Sequence, residues 1–287
     1  MSLYPSESAA AGLKFTVASS QAKKQRGEKI TCLTAYDYPF ARLLDEAGID
    51  ILLVGDSWAM TSAGMDDTLA VTLDEMLVAT RSVRRGVRRA LVVADMPYGS
   101  YHLNRRQAVA NSLRMIKEGG AAAVKLEGGA VRADIVRAIV DAEIPVMGHI
   151  GLTPQSVNRQ SGYRVQGTTP EGADQILRDA EAIAAAGAFS LVLEGIPREL
   201  AQRITQSSPI PTIGIGAGPD CDGQVLVLHD LLGLSFRPRP KFVRPFADLA
   251  PVVRAAAESY RHAVEGHQFP ADAESYHTPA AAQALRS

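Results

Sequence analysis

Five strand-like apolar runs in this sequence each end in an ionisable side chain, and these side chains are the first candidates for chemistry. They are Asp56, Asp95, Glu127, His149 and Glu194. Enough chain for a helix lies between successive runs, a pattern typical of a parallel sheet covered on both faces. Because the carboxyl ends of all strands in a parallel barrel open on one face, the sequence predicts that these five groups converge there.

Three of the four carboxylates in this set end adjacent predicted strands, and carboxylates that crowd together either raise each other's pKa or bind a cation. Asp56, Asp95 and Glu127 offer oxygen ligands only, which select a hard ion such as Mg²⁺. Taken singly, Asp56 or Asp95 would more often be a helix cap or a turn residue. His149 is open to two interpretations. As a metal ligand it would indicate a transition metal, and as a hydrogen-bonding group it would serve the substrate or the ligands, which is the role we favour.

Lys125 adds a cation to this set. Lys125 and Glu127 are two residues apart, so both side chains project from the same face of the predicted strand. A structural Lys–Glu pair is one explanation for charges on an inward face, and a part in the chemistry is the other. A metal ion, a lysine and a free carboxylate such as Glu194 are the groups that enolisation requires. The ion and the ammonium would stabilise an enolate oxygen while Glu194 removes an α-proton.

The elements that must position these groups predict an α/β fold, a single (βα)8 TIM barrel with an N-terminal lead-in and a C-terminal helix and tail. The first strand is predicted at residues 29–33, strand seven at 211–213 and strand eight at 224–228. Residues 150–169 lack periodicity and are rich in Gly, Pro, Ser and Gln, which predicts a lid or a binding loop.

Helix-start signals support the same alternation of strands and helices. Asp37 is predicted to cap the helix after the first strand, although it is also a charged group at a strand end. Thr72 and Glu75 form a capping-box pattern at the start of another helix. Three further helices are predicted at residues 104–118, 170–187 and 249–265.

Composition bounds the classes of protein that the chain can belong to. With 287 residues, 46% of them hydrophobic, it suits one large domain, which we divide into a flexible lead-in (1–28), a barrel (29–265) and a tail (266–287). The net charge of −1 and the pI of about 6.6 give no basic field for nucleic acid or an anionic membrane. Two cysteines fit a reducing cytoplasm. No apolar run approaches the ~20 residues that span a bilayer.

Several ordered motifs resemble the ketopantoate hydroxymethyltransferase family across residues 29–265. The motifs are Thr34-Ala35-Tyr36-Asp37, Val54-Gly55-Asp56-Ser57, Asp95-Met96-Pro97, Val124-Lys125-Leu126-Glu127-Gly128-Gly129, Gly148-His149-Ile150-Gly151-Leu152-Thr153-Pro154-Gln155-Ser156-Val157, Gly162-Tyr163-Arg164-Val165-Gln166-Gly167, Leu193-Glu194, Ile213-Gly214-Ile215-Gly216-Ala217-Gly218 and Asp222-Gly223-Gln224. The resemblance implies transfer of a hydroxymethyl group from 5,10-methylenetetrahydrofolate to 3-methyl-2-oxobutanoate through a Mg²⁺-stabilised enolate. The implied products are 2-dehydropantoate, an intermediate of pantothenate synthesis, and tetrahydrofolate.

The resemblance also implies roles for individual residues. Mg²⁺, one per subunit, would be held at Asp56, Asp95 and Glu127, and the 2-oxoacid would contact Asp56, Ser57, Asp95 and Lys125. Glu194 would accept the proton. The implied assembly is a homodecamer in the cytoplasm, with small molecules rather than nucleic acid or membrane as partners.

This chain departs from the family pattern at a few positions. Trp58-Ala59 replaces a small apolar residue and glycine, and Trp58 is predicted to narrow the mouth of the site. Ser161 replaces a glycine, and the tail beyond His277 is unusual. Two rival functions remain: a lyase or mutase of the phosphoenolpyruvate and isocitrate type, and a ligand-binding barrel without catalysis. This chain lacks the nucleophilic cysteine that such lyases often carry in the strand-four region, which disfavours the first function. The intact Lys125, Glu127 and Glu194 disfavour the second.

Overall fold

A computed structural model describes residues 13–160 and 162–278. Within those residues, eight parallel strands form a closed barrel in which each strand pairs with its neighbours in sequence and β1 pairs with β8. The strands are β1 Ile30–Thr34, β2 Ile51–Val54, β3 Leu91–Asp95, β4 Ala123–Glu127, β5 Val146–Gly151, β6 Ser190–Glu194, β7 Thr212–Ile215 and β8 Gly223–Leu226. The predicted (βα)8 barrel is therefore confirmed.

In the described part of the chain, one helix precedes β1 and helices follow every strand except β7. They are α1 Val17–Arg26, α2 Tyr38–Glu46, α3 Trp58–Thr61, α4 Leu73–Gly86, α5 Arg105–Lys117, α6 Ala133–Asp141, α7 Val157–Gln160, α8 Pro170–Ala185, α9 Arg198–Ser207, α10 Leu228–Leu231 and α11 Leu249–Glu265. Asp37 caps α2 by accepting from the Phe40 N–H at 2.9 Å, and Thr72 and Glu75 form the predicted capping box of α4. No helix in the described part of the chain is long and apolar enough to cross a membrane.

Two hydrophobic layers hold the barrel together. The strand side chains that point inward form one cluster, which includes Ile51, Val93 and Met147. The outward-pointing side chains form a larger cluster with the helices, which includes Leu52, Val124 and Leu191. This alternation along each strand explains why the strands read as continuous apolar runs, since both faces are buried.

The described part of the predicted flexible lead-in, residues 13–28, contains a helix, and residues 1–12 lie outside the described residues. Residues 17–26 form α1, and Phe15 is buried against the inward-pointing cluster. Lys23 pairs with Asp50 at 2.7 Å and Lys24 pairs with Asp222 at 2.8 Å. Since Asp50 and Asp222 immediately precede β2 and β8, these ion pairs fix α1 at the amino-terminal end of the barrel.

The bounds of several strands differ from the predictions by one or two residues, and β1 lies at 30–34 rather than at 29–33. β7 and β8 lie at residues 212–215 and 223–226 rather than at 211–213 and 224–228. Residues 150–169 were predicted without regular structure, but they contain a 3₁₀ turn at Pro154–Ser156 and the helical turn α7. Glycine explains the earlier start of β8, because a Cβ on Gly223 would lie 2.5 Å from the Ile30 carbonyl oxygen of β1.

The described residues divide into two compact units. One comprises the chain up to Leu228 together with Arg239–Val243, and the other comprises His229–Pro238 and the residues from Arg244 onward. The second unit contains α11, which has the predicted bounds of 249–265. The sequence analysis had included residues 229–265 in the barrel domain and had assigned 266–287 to a tail, of which residues 279–287 lie outside the described part of the chain.

Candidate active site

The barrel places the five strand-end groups together at the carboxyl end of the strands. Register pairs Asp95 with Lys125 across β3 and β4, and it pairs Glu127 with His149 across β4 and β5. All five groups, with Ser57 and Lys125, line one cavity of about 100 Å³. The structure thus brings together every site residue that the sequence analysis named.

Asp95 and Lys125 form a buried ion pair at the centre of this cavity. Lys125 Nζ lies 2.8 Å from Asp95 Oδ1, and both residues are less than 5% exposed. Asp95 Oδ2 accepts a hydrogen bond from the Asp56 N–H at 3.0 Å. Burial opposes the charged ammonium, but Asp95, Glu127 and Asp56 together raise the pKa of Lys125, so the lysine stays charged. Lys125 therefore forms its ion pair with Asp95 and not with Glu127, the partner considered from the sequence.

The pKa of the Asp56 carboxyl is strongly perturbed by its surroundings. Burial, followed by the charges of Asp95 and Glu127, raises the pKa of Asp56 to about 8. Burial also raises the pKa of Asp95, although the Lys125 ammonium opposes the change. A cation would relieve this crowding, since carboxylates with mutually raised pKa values ionise readily beside a positive ion.

His149 lies between two carboxylates and the lysine. Its Nε2 is 3.1 Å from Glu194 Oε2, while its Nδ1 is 3.5 Å from Glu127 Oε1 and 3.2 Å from Lys125 Nζ. Burial and the Lys125 charge oppose the imidazolium, but Glu127 and Glu194 raise the pKa of His149 to about 9. Burial alone would raise the pKa of Glu127, yet His149 and Lys125 hold it below its usual value. These contacts of both ring nitrogens with charged side chains support the hydrogen-bonding role that the sequence analysis favoured for His149.

The Ser57 hydroxyl has a partner that sequence reasoning did not identify. Tyr36 Oη and Ser57 Oγ are 2.8 Å apart, and burial raises the pKa of Tyr36 to about 12, so the phenol stays protonated. The neighbouring Gly55 leaves space for this contact, because a Cβ there would lie 2.8 Å from Ser57 Oγ. Tyr36 belongs to a motif that the sequence analysis quoted for the family resemblance alone.

Gln155 is the second residue that sequence reasoning missed. It lies in the 3₁₀ turn after β5, is 4% exposed, and donates its side-chain amide to Asp56 Oδ2 at 2.9 Å. Its backbone N–H donates to Glu127 Oε2 at 3.0 Å. A single glutamine in a polar loop gives no periodic signal, and only its place in the long segment 150–169 and in a motif quoted for the family resemblance could have singled it out.

The departures at Trp58 and Ala59 do not remodel the cavity. Trp58 packs, partly buried, against the hydrophobic layer between barrel and helices, and Ala59 is fully buried in that layer. The expected narrowing of the mouth by Trp58 is therefore not seen, since the residues of this segment that line the cavity are Asp56 and Ser57. Ser161 lies outside the described residues.

The oxygen donors of the site fit a hard cation that keeps part of its own hydration shell. Among residues 13–160 and 162–278, no three His, Cys, Asp or Glu side chains form a ready-made metal cluster. Mg²⁺ does not require one, because it typically takes one or two carboxylates and fills its remaining positions with water and substrate oxygens. Asp56, Asp95 and Glu127 are the residues here that could hold such an ion.

Comparison with known proteins gives both sequence and fold relatives. A family model described as ketopantoate hydroxymethyltransferase matches residues 14–272. The 3-methyl-2-oxobutanoate hydroxymethyltransferase of Koribacter versatilis (strain Ellin345) is 58% identical over 271 residues, which cover 94% of this chain and 92% of the relative. The enzyme of the same name from Geobacter sulfurreducens (strain ATCC 51573 / DSM 12127 / PCA) is 56% identical over 261 residues, covering 91% and 98%.

Among solved structures, the phosphoenolpyruvate phosphomutase of Streptomyces platensis subsp. rosaceus aligns with a TM-score of 0.59. It covers 94% of this chain and 94% of its own, with 17% sequence identity. At that identity the likeness is one of fold. An enzyme of the rival lyase or mutase type therefore has the same barrel fold as this chain, whereas the sequence relatives carry the hydroxymethyltransferase name.

Proposed function

The chain belongs to the ketopantoate hydroxymethyltransferase family, and we propose that it converts 3-methyl-2-oxobutanoate to 2-dehydropantoate for pantothenate synthesis. The one-carbon donor would be 5,10-methylenetetrahydrofolate, which leaves as tetrahydrofolate, and one water is consumed overall. The observation that carries this proposal is that one cavity brings these groups together. Its lining includes the Asp95–Lys125 pair, Asp56, Glu127 and the His149–Glu194 pair. It combines a charged lysine, cation ligands and a separate carboxylate base.

Asp56 and Asp95 would hold one Mg²⁺ per subunit directly, with Glu127 completing the set. When bound, the ion would polarise the keto group of the substrate and so acidify the proton on C3. The protein contributes orientation of the ligands, because the Asp56 N–H and Lys125 fix Asp95, and the Gln155 amide fixes Asp56. Ser57, held by Tyr36, would donate its hydroxyl to the 2-oxoacid.

Glu194 is the residue we assign as the base. It would take the C3 proton, and the electron pair of the C–H bond would form the carbon–carbon double bond of the enolate. Both bonds from the one-carbon unit to folate nitrogens would break: one would be replaced by the bond to the enolate carbon and the other by a bond to the oxygen of the water consumed. The C3 proton and one proton of that water would end on the two folate nitrogens. His149 Nε2, 3.1 Å away, would hold the Glu194 carboxylate in place, and the charged Lys125 would stabilise the negative charge on the substrate.

A direct assay tests the proposal. Purified protein is incubated with 3-methyl-2-oxobutanoate and 5,10-methylenetetrahydrofolate, with Mg²⁺ or with a chelator, and 2-dehydropantoate is measured. We expect product that depends on Mg²⁺. Absence of product under both conditions would refute the proposed activity, and full activity in chelator would refute the proposed cofactor.

The assembly and compartment belong to the same proposal. Family membership supports a homodecamer that acts in the cytoplasm on small molecules. The described residues include no helix suited to a membrane.

A further inference from the structure

We infer that Gln155 is a positioning residue that fixes the carboxylates of Asp56 and Glu127 and thereby sets the affinity of the site for a divalent cation. The inference rests on the proposed function, because it concerns the Mg²⁺ that this function requires. Gln155 is not a strand-end group, and it reaches the site from the segment that follows β5. Its contacts join β2, β3 and β4 at their carboxyl ends.

The orientation of the Gln155 amide follows from its partners. The Met96 carbonyl oxygen, 3.0 Å away, can only accept a hydrogen bond, so the atom facing it must be Nε2. The same Nε2 donates to Asp56 Oδ2 at 2.9 Å, which commits both amide protons. Oε1 then accepts from the Tyr101 hydroxyl at 2.6 Å. With these atoms engaged, the amide acts on the cation through Asp56 and is not itself a ligand.

The backbone of Gln155 acts on the second carboxylate. Its N–H donates to Glu127 Oε2 at 3.0 Å. Tyr101 reinforces the arrangement, since its hydroxyl accepts from the Glu127 N–H at 3.2 Å as well as donating to Gln155. Tyr101 is fully buried. One glutamine therefore orients the carboxylates of Asp56 and Glu127, which are 99 and 28 residues away from it in sequence.

These hydrogen bonds matter for cation binding for two reasons. A carboxylate that accepts a hydrogen bond favours its ionised form, which is the form that binds metal. A carboxylate with one oxygen held by the protein also has little rotational freedom to lose when the other oxygen meets the ion. Loss of partners that hold metal-binding side chains typically weakens metal binding about 10–100-fold.

A merely structural role for Gln155 predicts a different result. A buried glutamine that only satisfies the Met96 carbonyl and the Tyr101 hydroxyl would contribute to the melting temperature and leave cation affinity unchanged. The two roles therefore separate when affinity is measured on folded variants.

The test compares metal-free wild type with the Gln155→Leu variant, which removes the side-chain amide and keeps an apolar side chain in its place. Binding of Mg²⁺ is measured by calorimetry and binding of Mn²⁺ by electron paramagnetic resonance, with folding checked by circular dichroism. We expect dissociation constants about 10–100-fold higher in the variant. The Mg²⁺ concentration for half-maximal turnover should rise by the same factor, while turnover at saturating Mg²⁺ recovers.

Gln166→Leu is the matched control. Gln166 belongs to the same segment, but its side chain donates to the Arg164 carbonyl oxygen at 2.9 Å, so this variant should bind Mg²⁺ as the wild type does. If Gln155→Leu does not fold, Tyr101→Phe replaces it. That variant frees Gln155 Oε1, and we expect Mg²⁺ affinity to fall severalfold.

The outcomes distinguish this inference from the proposed function. If the wild type turns over substrate and a folded Gln155→Leu or Tyr101→Phe variant binds Mg²⁺ with wild-type affinity, the role of Gln155 is overturned and the proposed function is not. An equal loss in Gln166→Leu overturns it as well. A wild type that binds neither ion overturns both the inference and the proposed metal site.

Discussion

Removal of Lys125 is the perturbation whose energetic effect can best be worked out from the structure. The Lys125→Met variant keeps the length of the side chain and deletes the ammonium that lies 2.8 Å from Asp95 Oδ1. Both members of the pair are at most 5% exposed in their side chains, so Asp95 is left buried beside Asp56 and Glu127 without its counter-charge. Breaking a buried pair in this way costs about 3–5 kcal/mol.

The expected loss is large enough to measure by thermal denaturation. At about 2–4 °C per kcal/mol for a domain of this size class, the melting temperature in chelator should fall by about 6–20 °C. Added Mg²⁺ should recover part of the loss, because a cation replaces the missing positive charge among the carboxylates. Turnover should also fall, since the ammonium faces the substrate.

An exposed ion pair of nearly equal length provides the control. Arg105 and Asp134 are 2.7 Å apart but 66% and 74% exposed in their side chains, so Arg105→Met should cost less than about 1 kcal/mol. If Lys125→Met melts no lower than Arg105→Met, the buried pair does not stabilise the site and the reasoning fails.

Three further predictions follow from the same geometry. Asp56→Asn and Asp95→Asn should each weaken Mg²⁺ and 3-methyl-2-oxobutanoate binding together in calorimetry; unchanged Mg²⁺ dependence of activity in both variants would contradict the assignment. Without metal, the melting temperature should fall as the pH rises from 7 to 9. Folding raises the pKa of Asp56 from 3.8 to about 8 and that of His149 from 6.5 to about 9. The stability that Asp56 contributes at low pH is therefore lost between about pH 4 and 8, that of His149 between about pH 6.5 and 9, and the last part of the first loss and most of the second fall in this window. Mg²⁺ should restore most stability at pH 9, and a flat pH profile would refute this. Light scattering should give a mass well above a dimer; a mass near the 30.6 kDa of one chain would exclude the proposed decamer.

The sequence predicted the barrel and the site because both depend on local patterns. Each buried strand is an apolar run, and Asp56, Asp95 and Glu194 stand where such a run stops. In a parallel barrel, the end of a strand also fixes the position of the side chain in space. The same local reasoning placed the N-cap at Asp37 and the capping box at Thr72.

Features that depend on tertiary contacts could not be predicted in this way. The sequence of α1 is polar, and its place on the barrel comes from the pairing of Lys23 and Lys24 with aspartates far along the chain. The choice of Asp95 over Glu127 as the partner of Lys125 depends on the register between β3 and β4. Gln155 acts through hydrogen bonds to three other elements, and none of them leaves a signal in the surrounding residues.

The most direct test of the central claim is exchange of the C3 proton of 3-methyl-2-oxobutanoate with deuterated solvent, followed by NMR with Mg²⁺ and without folate. Glu194 lies at the end of β6, 3.1 Å from Nε2 of His149, while Glu127 Oε1 is near the other ring nitrogen, Nδ1. We therefore expect Glu194→Gln to keep Mg²⁺ and substrate binding but to lose exchange and turnover together, by about 10²–10⁴-fold. Exchange at the wild-type rate in Glu194→Gln would show that Glu194 is not the base, and His149 would be the next residue to test.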